Sequence, residues 1–455
     1  MRVFFLFLGL ALGVNLGYCL DPASFLVAIF LSLFALFFSF KQKEALAFSI
    51  ALAVGIALGL IRGPSSEGQC QLTGMVVRSS DNYFVVVSGF SRYYVGIKDH
   101  GYEIGDFLKL EGYVKPFVRT TYEAQFDFGA YLKSYGVTQE ISYPKIENVF
   151  LNPLRFRTYE LQFLSHFDEN AASLLDSLLF NRKDYSSMPI LLASSLNVMN
   201  LLSASGIFFS FLMRQVDKTT HRLIRKEKTG KLVSLGVSLF ALPLALRKIG
   251  ILRVILTRIV AYWNEYHYRG ALKGFEVASL SGVIMIFLSR YAVFQSGFLL
   301  GFGSSLTLSF AQPLLRRGKV RRMPKLAGLL LLRLFFLPAA ISFGGAYHVF
   351  GFAFSLLLIP PTYCFAAIGL FSYLSFPYPV LINPLGEAFT GMLKFLSSFD
   401  IVIYLPDDGI WAIFLYYCVF FVTLLVLELG LKGVAKGMAL STLSLYLVSL
   451  LPILS

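Results

Sequence analysis

Cys70-Gln71-Leu72-Thr73-Gly74-Met75-Val76-Val77, then Tyr83-Phe84-Val85-Val86-Val87, then Gly105-Asp106-Phe107-Leu108-Lys109-Leu110-Glu111-Gly112-Tyr113-Val114, break an otherwise apolar chain with a different periodicity. Side chains alternate in character, and β-branched and aromatic residues dominate, which is the pattern of short strands rather than helices. Turn residues separate the runs at Ser80-Asp81-Asn82 and Ser88-Gly89. Strands are expected at 70–77, 82–89, 92–99 and 106–117, a helix at 123–135 and a last strand at 137–151. Five short strands with one helix suit a small OB-type barrel inside a polar segment, residues 62–157.

On both sides of that segment the chain turns apolar: 56% of its 455 residues are hydrophobic, 15% are charged, and Phe occurs 46 times. A bilayer core takes about 20 apolar residues per helix, leaving room for roughly 10 to 13 spans outside the polar segment. The expected fold class is a polytopic α-helical membrane protein with an inserted extracytoplasmic small all-β (OB-like) domain. Residues 1–61 are expected to hold three transmembrane helices, at 3–20, 23–40 and 44–61, and 62–157 the β domain. Residues 158–455 are expected to form a membrane domain with roughly 8 to 10 spans, the first at 190–213. Later candidates lie near 232–246, 249–263, 271–289, 291–312, 326–343, 350–374, 380–404, 409–429 and 438–454; the first two are short and carry Arg247, Lys248, Arg253 and Arg258, which equally suits interfacial or re-entrant segments.

The net charge of +14 comes from 40 basic against 26 acidic residues. Two basic runs stand out: Arg214, Lys218, Arg222, Arg225, Lys226, Lys228 and Lys231, then Arg316, Arg317, Lys319, Arg321, Arg322 and Lys325. Such runs suit cytoplasmic loops and attraction to surface lipid, and also contact with a polyanion. With Lys41 and Lys43 inside, the N-terminus is cytoplasmic and residues 62–157 face outward from a plasma membrane. The four cysteines are scattered, and no metal-ligand spacing, phosphate-binding glycine loop or Ser/His/Asp set is present. No metal, cofactor or catalytic residue is expected, so the chain does not read as an enzyme.

Residues 159–180 place Leu164, Phe167, Ala171, Leu174, Leu175 and Leu178 on one helical face, which suits an amphipathic helix at a membrane surface or over the mouth of a cavity. Ser194, Ser195, Asn197, Asn200, Ser203, Ser205 and Ser210 crowd the segment 190–213. They suit either the lining of a path or close helix packing. Gly9, Gly13 and Gly17, with Gly55 and Gly59, repeat every fourth residue and predict helices in backbone contact.

Phe126-Asp127-Phe128-Gly129-Ala130-Tyr131-Leu132-Lys133-Ser134-Tyr135-Gly136-Val137 resembles the segment that closes the external domain of ComEC-type competence proteins. Asn200-Leu201-Leu202-Ser203-Ala204-Ser205-Gly206-Ile207-Phe208 is similar to that family's His-Leu-Leu-Ala-Ile-Ser-Gly-Leu-His signature, with Asn200 and Phe208 in place of the histidines. Gly297-Phe298-Leu299-Leu300-Gly301-Phe302 and Ser355-Leu356-Leu357-Leu358-Ile359-Pro360 resemble two further family segments, in the same order along the chain.

The resemblance implies a membrane channel that carries single-stranded DNA into the cytoplasm during natural transformation. Its implied partners are single-stranded DNA, the lipid bilayer, a separate DNA receptor, a nuclease, a cytoplasmic motor and further copies of the chain. No His-x-His-x-Asp-His cluster occurs, so nuclease activity is expected from another polypeptide. Path-lining residues are expected to be Asn197, Asn200, Ser203, Ser205, Gly206, Ser210, Gly297, Gly301 and Arg333. On the external domain, Tyr83, Tyr93, Tyr94, Lys98, Lys109, Lys115 and Arg119 supply stacking faces and cations for a single strand. The same aromatics also suit a small barrel core, with the lysines solvating its outside. A small-solute transporter, or a decayed relative that keeps the fold without transport, are the alternative functions.

Overall fold

The computed structural model describes residues 2–19, 43–61, 67–80, 82–98, 100–117, 128–153, 156–180, 182–199, 201–202, 206–224, 227–240, 249–315 and 350–404, with short stretches at 328, 331–332, 334–336, 346–348 and 420. The chain divides into two compact units, residues 1–161 with 279–299, and 162–278 with 300–455.

In the first unit, helices α1 (Arg2–Cys19) and α2 (Lys43–Leu60) pack along their glycines. A Cβ built on Gly13 would collide with the Leu52 carbonyl and come within 2.9 Å of the Gly55 Cα, and one on Gly55 would meet Gly13 at the same distance. Gly9 faces Phe48 and Gly17 faces Ile56 and Gly59, so the contacts advance together and the two helices run parallel. Close backbone approach of this kind maximises dispersion contact without side-chain ordering.

The polar segment folds as a closed five-stranded barrel in the order β1-β2-β3-β5-β4. Its strands are β1 (Gly68–Ser80), β2 (Tyr83–Ser88), β3 (Ser91–Val95), β4 (Phe107–Pro116) and β5 (Gln139–Phe150). All neighbours are antiparallel except β3 and β5. Leu72, Val76, Phe84, Val86, Tyr93, Val95, Leu108, Leu110, Val114 and Ile141 fill the inside, as alternation requires. Helix α3 (Phe128–Lys133), in the β4–β5 connection, covers the opposite face of β2 and β3 through Phe128, Tyr131 and Leu132. The expected helix at 123–135 is therefore short in the described residues, and 121–127 lie outside them.

Two buried carboxylates tie the barrel to the next helix, α4 (Phe156–Leu164). Asp106 accepts hydrogen bonds from the backbone N–H groups of Glu103 (2.8 Å) and Asn152 (2.7 Å). Glu103 in turn accepts from the N–H groups of Arg157 (2.9 Å) and Thr158 (3.3 Å), in the first turn of α4. The helix N-terminus thereby gains both acceptors and a favourable charge.

The second unit is built on α5 (Glu169–Leu175), a π-helical turn (Asp176–Phe180), α6 (Met188–Ser195), α7 (Gly206–Leu223), α8 (Glu227–Phe240), α9 (Ile249–Tyr266), α10 (Gly274–Leu288), α11 (Ser296–Leu315), α12 (Gly351–Leu374) and α13 (Pro379–Ser397), of which α10 and α11 run across the unit boundary. A two-stranded sheet pairs β6 (Ala346–His348) with β7 (Val402–Tyr404). Leu164, Phe167, Ala171, Leu174, Leu175 and Leu178, expected on a surface helix over 159–180, instead enter a core shared with α6, α12 and α13. The segment is three short pieces, and Ala171 packs directly on Gly386 of α13. Along α13, Ile382, Gly386, Phe389, Leu393 and Leu396 recur at helical spacing on its buried face.

The expectation of a polytopic α-helical membrane protein is corrected by these elements. Among the described residues one helix, Ala353–Leu374, is long and apolar enough to cross a membrane; Val3–Tyr18, Leu46–Leu60, Gly274–Leu288 and Gly297–Leu308 are apolar but shorter. Composition overcounts because it does not see interruptions. Residues 190–213 end one helix at Ser195 and resume helix at Gly206. The segment 291–312 begins in a 3-10 turn, Arg290–Phe294, and 249–263 carries Arg253 and Arg258 within its helix. Much of the first basic run is helical: Arg214, Lys218 and Arg222 lie exposed along α7, and Lys228 and Lys231 lie on α8, while Arg225 and Lys226 lie outside the described residues. The spans expected at 23–40, 409–429 and 438–454 lie outside the described residues apart from residue 420, and so does most of 326–343.

Candidate functional site

The barrel does not present the aromatic platform that its sequence suggested. Tyr83, Tyr93 and Tyr94 are 9%, 7% and 7% exposed. Phe84 and Tyr93 point into the barrel, so Tyr83 and Tyr94 fall on the other face, where they stack on each other at 5.5 Å beneath Phe128 of α3. Strands 2 and 3 form the face on which OB barrels receive oligonucleotides, and here α3 covers it. The expected cations fare similarly. Lys109 is held by Glu147 at 2.8 Å and Lys115 lies 3.9 Å from Glu140, while Lys98 is exposed and Arg119 lies outside the described residues. Residues 62–157 carry eleven basic and ten acidic side chains, so the chain's positive charge resides elsewhere.

Arg78 and Tyr131 form the most strongly perturbed pair of the barrel. The Arg78 guanidinium lies 4.1 Å from the Tyr135 ring centroid and donates to the hydroxyls of Tyr83 (3.3 Å) and Tyr131. Burial pushes the Tyr131 phenol well above its ordinary value, although Arg78 pulls the other way.

Of the expected path-lining residues, Asn197 occupies the turn after α6 with φ of 54°, a left-handed conformation that asparagine tolerates better than most residues. Gly206 opens α7, Ser210 lies half-buried on it, and Gly297 is exposed near the start of α11. Asn200, Ser203, Ser205 and Arg333 lie outside the described residues. Gly301 is the informative one: the guanidinium of Arg253, on α9, lies against it. Arg253 donates to Ser305 Oγ at 3.3 Å, and both Ser304 and Ser305 donate to the Gly301 carbonyl.

Reasoning from sequence missed two polar constellations of this unit. Arg258 of α9 donates to Asp217 of α7 through two bonds of 3.0 and 2.7 Å, and to Ser234 of α8 at 2.6 Å. Lys231 and Glu265 pair at 2.5 Å beside them, and these four charged groups with Leu235, Ala261 and Tyr262 line a cavity of about 240 Å³. Elsewhere in the unit, His348 Nδ1 donates to Asp400 Oδ2 at 2.6 Å with both side chains nearly buried. Asp217 is one of two acids, with Glu227, inside a basic run, which was the available signal. Nothing in the sequence pairs it with a residue 41 positions away. No group of metal-ligating side chains occurs among the described residues.

No protein-family model, curated protein or solved structure matches the chain.

Proposed function

We propose that the protein is seated in the plasma membrane and passes single-stranded DNA toward the cytoplasm, with the second unit bordering the path. One observation carries the membrane seat: helices of that unit bury hydroxyls while turning large apolar side chains outward. Helix α8 buries Ser234 and Ser238 completely while turning Leu232 (53% exposed), Val233, Val237 and Leu239 outward. Helix α12 buries Thr362 and Ser372 beside Phe354, Leu358 and Phe365, and exposes Leu357, Phe371 and Leu374. Water favours the reverse arrangement, by about 25 cal/mol per Å² of apolar surface removed from it. A hydrocarbon surround favours this one, because hydroxyls then turn to partners inside the protein. The seat does not depend on the number of crossings.

The order of the competence-type segments supports DNA as the cargo, and so does Arg253 of α9, a cation with no carboxylate partner among the described residues. A separate receptor, nuclease and motor, and self-association of the chain, complete this reading. A small anionic solute is the second reading, favoured by the near-neutral barrel with its covered strand face. Deleting the chain in its host and measuring labelled DNA in the cytoplasm, separately from DNA at the surface, tests the proposal. Loss of the cytoplasmic label with surface label intact is expected; unchanged cytoplasmic uptake overturns the DNA reading. Release of the protein by alkaline carbonate, rather than by detergent alone, overturns the membrane seat.

A further inference from the structure

We infer that Arg253 is an oxyanion site, its guanidinium laid across the Gly301 backbone so that two N–H groups grip one phosphate of the cargo. The inference rests on the proposed function for the source of the phosphate, and on geometry alone for the site.

Two arginines sit five residues apart on α9 and differ in one respect. Arg258 is committed, with Asp217 and Ser234 accepting three of its hydrogen bonds. Arg253 has no carboxylate partner among the described residues, and Ser305 Oγ, at 3.3 Å, is its one hydrogen-bond acceptor there. A guanidinium carries five N–H donors in a fixed plane. Half-buried beside Phe302, whose ring centroid lies 5.8 Å from its Cζ, the Arg253 head group is short of both water and counter-charge. A cation in that state is stabilised by an anion more than a well-solvated one is.

Gly301 makes the posture available. A Cβ there would stand 2.6 Å from Arg253 Nη1 and 2.9 Å from its Cζ, so any side chain moves the guanidinium off the helix. Ser304 and Ser305 direct their hydroxyl protons to the Gly301 carbonyl, which turns oxygen lone pairs rather than protons toward the arginine. The planar fork suits two oxygens of a single phosphate, a match that the point charge of lysine does not reproduce.

The test uses purified full-length protein, a fluorescent oligothymidylate and inorganic phosphate as probes, and the variants R253Q, R253K and G301A. Wild type is expected to bind the oligothymidylate, and R253Q to bind it about tenfold to a hundredfold more weakly, the range for one charge-assisted bidentate contact. R253K, which keeps the charge without the fork, is expected to recover only part of that loss, and G301A to weaken binding with Arg253 chemically intact. Should G301A fail to fold, the R253K and R253Q pair still decides. Oligothymidylate binding that R253Q leaves unchanged overturns the Arg253 site and leaves the DNA reading standing. Phosphate binding that depends on Arg253, without oligothymidylate binding, upholds the site and overturns the DNA reading. Binding of neither probe overturns both.

Discussion

Replacing Arg258 with methionine tests whether α7, α8 and α9 are held by their polar interior. The change removes two charge-assisted bonds to Asp217 and one bond to Ser234 while keeping much of the side chain's length. A buried hydrogen bond to a charged group contributes about 1.5–3 kcal/mol. The two side chains retain 21% and 35% of their exposure, so water recovers part of the loss and the sum falls to about 2–3 kcal/mol. Local opening of the three helices should then be about 30-fold to 150-fold more frequent, read as faster amide hydrogen exchange across residues 206–266 of the full chain. Asp217→Asn should act in the same direction. Because the two side chains share one network, D217N with R258M should cost about 1 kcal/mol or more less than the sum of the single changes. Wild-type exchange rates in R258M, or strict additivity in the pair, would refute the idea that this cluster holds the helices together.

Gly13→Leu should separate α1 from α2 at a cost of about 1–3 kcal/mol or more, since the new side chain meets the Leu52 carbonyl and Gly55 rather than a movable side chain. Hydrogen exchange over residues 2–60 reads this, with Leu12→Ala on the exposed side of α1 as the silent control. Phe84→Ala removes a fully buried ring from the barrel and should cost about 3–5 kcal/mol, seen as new protease cleavage between residues 68 and 150. The barrel should also weaken in alkali. Tyr131 titrates higher in the folded state than its ordinary 10.0, so above pH 10 the unfolded chain loses its proton first. Stability is full below that pH and falls as pH rises; Tyr131→Phe should flatten the fall, as followed by circular dichroism.

The barrel was legible because strand alternation leaves a strong local trace: the run at 106–117 coincides with β4 to within a residue at each end, and the run at 70–77 lies inside β1, which extends two residues before it and three beyond. The glycine repeats of α1 and α2 were equally plain, since few other roles need a missing side chain at every fourth position. The aromatics of β2 and β3 were ambiguous in principle. Alternation sends Phe84 and Tyr83 to opposite faces, but whether the second face meets water or a helix depends on where α3 returns. Apolar content misled in the second half, where single residues such as Asn197 end helices that a hydropathy window runs together.

Composition and periodicity therefore determined that this chain carries a β module amid apolar helices, because both properties belong to neighbours in sequence. Tertiary structure alone decided that Tyr83 and Tyr94 are sealed, that Asp217 neutralises Arg258 and that Arg253 rests on Gly301 without a carboxylate among the described residues. Those outcomes depend on the distance between side chains tens of residues apart, and a charge or a ring acquires its role only from what the fold sets against it.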